Sequence, residues 1–201
     1  MNQLSEKRNP LASDLAENNL MVNQRLTCHT DTVPTAVWIV DVNIRSQPQG
    51  DLSLSYKLTG DLAQIRIPAP QPSIAKDGLW EHTCFEAFIA VEGEAGYHEF
   101  NFSPSGQWAA YSFSDYRARS PWTASQRPAI RFVKSNGHLL LEAVIALGDL
   151  PQNMTDKPLQ LGLAAVIEAS DGSCSYWALH HPEDRPDFHN RAGFILSLNQ
   201  N

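Results

Sequence analysis

The run from Thr83 to Glu92, TCFEAFIAVE, constrains this chain more than any other stretch. Phe85, Ala87, Ile89 and Val91 fall on one face of a strand, and Cys84, Glu86, Phe88 and Ala90 fall on the other. Neither face is plainly wet, so the strand is expected to be central in its sheet, with Glu86 at least partly away from water. Glu86 is then an acid among apolar neighbours. A buried carboxyl without a partner is costly, so this residue demands either a partner or a cavity.

The rest of the chain repeats period-two alternation between turn signals. Strands are expected over Val37–Arg45, Leu52–Leu58, Tyr97–Ser103, Gln107–Phe113, Ala129–Lys134, Leu139–Ile145, Leu159–Glu168, Cys174–Leu179 and Ala192–Leu198, with a short apolar run at Ile65–Ile67. Ser103-Pro104-Ser105-Gly106 and Asn136-Gly137 have the chemistry of hairpin turns. Pro68, Pro70 and Pro72 cannot donate to a ladder and mark a surface loop, and Asp115 to Pro128 is expected to be irregular. No long helix is expected. The fold class is therefore all-β, an antiparallel, jelly-roll-like β-sandwich of about ten to eleven strands.

In a chain of 201 residues this makes one domain, spanning residues 26–201. Residues 1–25 are polar and weakly periodic and are expected to be a flexible extension, with Met21 as an alternative start of translation. A net charge of −7 without any run of Lys or Arg argues against nucleic acid and against an anionic membrane surface. No stretch has the length of a membrane span or the form of a signal peptide, so a cytoplasmic location is expected. Cys28, Cys84 and Cys174 have neither zinc nor disulfide spacing and are expected to be reduced thiols. The oligomeric state stays open.

The candidate ligand-binding residues are Trp80, Glu86, Glu99, Asn101, Trp108, Tyr111, Arg117 and Trp177. Saccharides suit this set, because their C–H faces pack on aromatic rings while their hydroxyls need carboxylate and amide partners. Glu86, Glu99, Asn101 and Trp108 are expected to converge on one concave pocket near Trp177. Taken singly, Glu99 and Asn101 fit the wet side of an antiparallel strand. Tyr116, Arg117, Arg119 and Trp122 form a proline-bounded loop that could act as a lid, with Arg117 suited to an anionic substituent. His180, His181, Asp184, Asp187 and His189 hold metal-ligand chemistry within one loop, but adjacent side chains of extended backbone point apart, and a solvated loop is the expectation.

The segments LWEHTCFEAFI, YHEFNFSPSGQWAAY and SYWALHHPEDRPDFH resemble the DOMON-like proteins, within the superfamily of family 9 carbohydrate-binding modules and DOMON haem or sugar domains. The resemblance runs from about Met21 to the end. It implies a jelly-roll-like sandwich whose sheet face or loop rim holds a small ligand, often a saccharide, and non-catalytic binding of a carbohydrate or sugar derivative is the expectation. An enzyme acting on a sugar-like substrate through paired carboxylates is the alternative from another class. Haem is a further alternative that the resemblance carries, although no CxxCH motif is present and the methionines beyond Met1 are Met21 and Met154. No cofactor is expected, and calcium bracing a loop is left open.

Overall fold

Alternation becomes strand pairing wherever the sequence shows it clearly. The computed structural model describes residues 21–36, 38–47, 49–151 and 157–199. Its strands are β1 (Met21–Cys28), β2 (Trp38–Ser46), β3 (Leu52–Gly60), β4 (Cys84–Val91), β5 (Tyr97–Phe102) and β6 (Trp108–Asp115), followed by β7 (Ala118–Ser120), β8 (Ala129–Ser135), β9 (His138–Ile145), β10 (Leu159–Glu168), β11 (Cys174–Ala178) and β12 (Leu196–Leu198). Every pairing among them is antiparallel.

The strands follow one another in the order β7-β6-β5-β4-β10-β11-β1-β2-β3-β9-β8, with β12 beside β10. β1 belongs to both layers of the sandwich: Met21 to Leu26 pair with β2, and Thr27 and Cys28 pair with β11. The core lies between the layers. Val40, Val42, Leu54, Tyr56, Leu139 and Leu141 come from one side, and Phe85, Ala87, Ile89, Phe100, Phe102 and Leu163 from the other. Tyr56 ties the layers together, with its ring 5.1 Å from that of Phe85 and its hydroxyl donating to the Glu86 carbonyl oxygen at 2.8 Å. Gly137, at φ 80°, takes the left-handed conformation that the β8–β9 hairpin requires.

The outer face of the second layer is also covered. Cys84, Phe88, Tyr97, Tyr111, Phe113 and Ala164 form a smaller apolar cluster there, capped by Leu79 and Phe194 from loops, with Phe188 packed against it. Phe194 packs against Gly162, where an added Cβ would come within 2.6 Å of the ring. This contact fixes the 180–195 loop against β10.

Three expectations need correction. Met21–Arg25, expected within a flexible extension, pair with β2, and the rest of that expectation, residues 1–20, lies outside the described residues. The loop from Asp115 to Pro128 contains the short strand β7, hydrogen-bonded to β6. The closing strand shrinks to Leu196–Leu198 after a 3-10 turn at Arg191–Gly193, while Ile65 makes only an isolated bridge to Ala169.

Candidate functional site

A cavity of about 390 Å³ opens on the outer face of the second layer. Glu86 from β4 and Glu99 from β5 reach it from the sheet, beside Phe88 and Val166. The register explains why they meet. Glu86 pairs with Asn101 and Phe88 pairs with Glu99, which puts the two acids on one face at diagonal positions of neighbouring strands. Trp80 and Tyr111 form one aromatic wall, ring to ring at 6.0 Å, and Tyr176 and Phe188 line the cavity from β11 and the C-terminal loop. Arg117, Arg119 and His189 complete the lining.

Glu86 is only 3% exposed, and its Oε1 has no hydrogen-bond partner among the described residues. Burial, reinforced by the nearby Glu99 charge, raises its pKa well above the carboxylate range. Glu99, 4% exposed, accepts from Asn101 Nδ2 at 2.7 Å through Oε1. Burial raises its pKa to about 7, against the opposing pull of the Asn101 hydrogen bond and of the Arg119 and Arg117 charges. Both carboxyls are therefore able to carry protons near neutrality.

His189 does not supply a counter-charge. Burial and the Arg117 guanidinium lower its pKa to about 4, so its ring is neutral at pH 7. Tyr97 Oη accepts from the Arg117 amide at 3.1 Å and lies 2.9 Å from His189 Nδ1. The arrangement that uses every hydrogen has Tyr97 donating to Nδ1, which leaves the proton on Nε2 facing Glu99 Oε2 at 3.7 Å.

The rim arginines already have partners. Arg117, in the left-handed conformation at φ 53°, donates to Asp187 Oδ1 at 2.8 Å, and Tyr116 Oη donates to Asp187 Oδ2 at 2.7 Å. Arg119 stacks 3.8 Å above the Tyr111 ring and 3.8 Å from Asp77 Oδ1, the atom to which Tyr111 Oη donates. The C-terminal loop is held from a third direction, with His181 Nε2 2.9 Å from the Thr27 carbonyl oxygen and His29 Nε2 3.2 Å from that of Glu183.

Of the residues singled out from the sequence, Trp80, Glu86, Glu99, Tyr111 and Arg117 line the cavity. Asn101 is 0% exposed and stands behind Glu99, positioning it rather than lining the space; its Oδ1 has no partner among the described residues. Trp108 and Trp177 are elsewhere. Trp108 pairs with Phe102 at the turn end of β6 and bridges Ala75, and Trp177 belongs to the core between the layers, where its Nε1 donates to Ser175 Oγ at 2.9 Å. Tyr176, one residue earlier, occupies the place expected for Trp177.

Arg119, from the loop expected as a lid, lines the cavity with Arg117, whereas Trp122 packs over His98 at 4.3 Å. Phe188 and His189 come from the loop in which metal ligands were weighed. Asp187 binds Arg117, His181 faces Thr27 and His189 faces Tyr97, so these side chains diverge. Among the described residues no three His, Cys, Asp or Glu side chains converge on a metal position. Haem does not fit the residues present either. His189 is the histidine in the cavity, with Nδ1 engaged by Tyr97 and Nε2 turned to Glu99, while Met21 stands on the other layer and Met154 lies outside the described residues.

No family model matches the chain, and no curated protein matches it in sequence. Among solved structures, a candidate carbohydrate-binding protein from Bacteroides uniformis is similar with a TM-score of 0.65 and 20% identity, over 87% of this chain and 84% of that one. A family 9 carbohydrate-binding module from Caldicellulosiruptor kristjanssonii in complex with glucose gives 0.48 at 10% identity, over 87% of this chain and 81% of that one. The complex with cellotriose gives 0.45 at 10% identity, over 77% and 71%. The first likeness is one of fold alone, and the other two are too distant to argue from.

Proposed function

We propose that this cavity binds a small hydroxyl-rich ligand, a carbohydrate or sugar derivative, without chemical change to it. The observation that carries this reading is the Glu86 carboxyl, buried and with Oε1 unpartnered, at the base of a cavity with aromatic sides. A sugar ring offers C–H faces to Trp80 and Tyr111 and hydroxyls to Glu86 and Glu99, which matches both halves of the lining. The volume stands near the lower end of the roughly 300–1,000 Å³ typical of small-molecule sites, which suits one or two rings. The Bacteroides uniformis protein of like fold is itself a candidate carbohydrate binder, which agrees with this reading.

The test is calorimetric titration with monosaccharides and short oligosaccharides, using Trp80→Ala as the control. Trp80 is 40% exposed, so its removal should leave the urea midpoint nearly unchanged while lowering affinity about tenfold, or ~1.4 kcal/mol. No measurable binding of any saccharide to the wild-type protein would overturn the reading.

One observation favours a second reading. A carboxyl with a pKa of about 7 beside a second acid in one cavity is also the arrangement of a general acid with its partner. Turnover in a panel of glycosides, abolished by Glu86→Gln, would replace binding by catalysis.

A further inference from the structure

We propose that the ligand of this cavity carries a protonated amine, as an amino sugar does, and that its ammonium group lies between Glu86 and Glu99. This inference rests on the saccharide reading and narrows it. The charge balance of the site points to it. The two cations at the rim are each matched by an aspartate, Arg117 by Asp187 at 2.8 Å and Arg119 by Asp77 at 3.8 Å. The two floor carboxyls have no such match. Asn101 donates one neutral hydrogen bond to Glu99, and the His189 ring is neutral at pH 7. The remaining titratable groups near Glu86 are the Cys84 and Tyr176 side chains on its own face and Tyr56 across the sheet, and none of these supplies positive charge.

An anionic ligand would have to compete with Asp187 and Asp77 for the arginines and would also bring its charge toward two acids. A neutral hydroxyl donates one hydrogen bond and brings no charge to offset either acid. An ammonium group has three donors and a full charge, so it can satisfy Glu86 Oε1, reach Glu99 and let both become carboxylates. The ring faces of Tyr111 and Trp80 add attraction for a cation held in a partly desolvated site.

A measurable consequence separates the amine from other sugars. Binding of an ammonium group must release protons from the floor carboxyls, whereas binding of a neutral sugar need not. The experiment is calorimetric titration at pH 6.5 with D-glucosamine, D-glucose and N-acetyl-D-glucosamine, each in two buffers of different ionisation enthalpy. The expected result is at least tenfold tighter binding of glucosamine, with a buffer-dependent heat that reports net proton release for glucosamine only. Glu86→Gln, which keeps the size of the side chain, should bring the glucosamine-to-glucose affinity ratio close to one.

Equal or tighter binding of glucose or N-acetylglucosamine, or glucosamine binding without buffer dependence, overturns the amine assignment and leaves saccharide binding standing. Absence of binding by all three, together with no binding by any other saccharide, overturns both.

Discussion

The Glu99→Gln variant tests the electrostatics of the site through folding stability, without any ligand. Glutamine keeps an oxygen for Asn101 Nδ2 and removes the titration. The Glu99 carboxyl has a pKa of about 7 in the native state against an ordinary 4.5. A raised carboxyl pKa means that the native state holds its proton more tightly than the unfolded chain does. The stability this provides is complete below pH 4.5 and is lost as pH rises through about 7. At about 1.4 kcal/mol per pH unit, the loss amounts to about 3 kcal/mol.

His189 acts in the opposite direction. Its pKa of about 4 against 6.5 makes stability rise with pH between those values, so the wild-type curve partly hides the Glu99 effect. The difference between variant and wild type removes that masking. Urea unfolding at pH 4 and pH 8 should show the variant close to wild type at pH 4 and more stable by about 3 kcal/mol at pH 8. A difference that is the same at both pH values, or larger at pH 4, would refute the assignment of Glu99 as a buried acid poised near neutrality.

Two further substitutions separate the core from the site. Gly162→Ala places a methyl group within 2.6 Å of the Phe194 ring, so the C-terminal loop must shift. We expect a loss of about 1–3 kcal/mol in urea unfolding together with weakened ligand binding, because Phe188 and His189 move with the loop; unchanged affinity would show that this wall is not needed. Tyr56→Phe removes the 2.8 Å hydrogen bond to the Glu86 carbonyl oxygen on the far side of the sheet. It should cost about 1–2 kcal/mol of stability and leave affinity unaltered, and a large loss of affinity would show that Tyr56 sets the position of Glu86.

Much of the architecture is legible in the sequence because alternation and turn chemistry agree there. Asn136-Gly137 between two apolar runs could form little else, and TCFEAFIAVE could only be an interior strand. β1 escapes notice for a physical reason. MVNQRLTC buries only Leu26 deeply, and it is held by backbone hydrogen bonds to strands on either side rather than by an apolar face. Glu86 is legible as an anomaly in any register. Glu99 and Asn101 look wet by alternation, yet both are buried, because loops from residues 74–82 and 180–195 cover that face and periodicity says nothing about what lies over a sheet. On β11 both Tyr176 and Trp177 are aromatic, so the pattern gives no phase, and an error of one residue exchanges the cavity for the core.

The double membership of β1 makes the beginning of the domain a foundation of its far end. The carbonyl of Thr27 faces His181, and His29 faces the Glu183 carbonyl, so the loop that carries Phe188 and His189 is moored to a strand more than 150 positions upstream. That strand is held on one side by its run against β2 and on the other by Thr27 and Cys28 against β11. A fragment cut at residue 26 would keep every cavity residue and lose the β2 pairing that steadies one mooring of that wall.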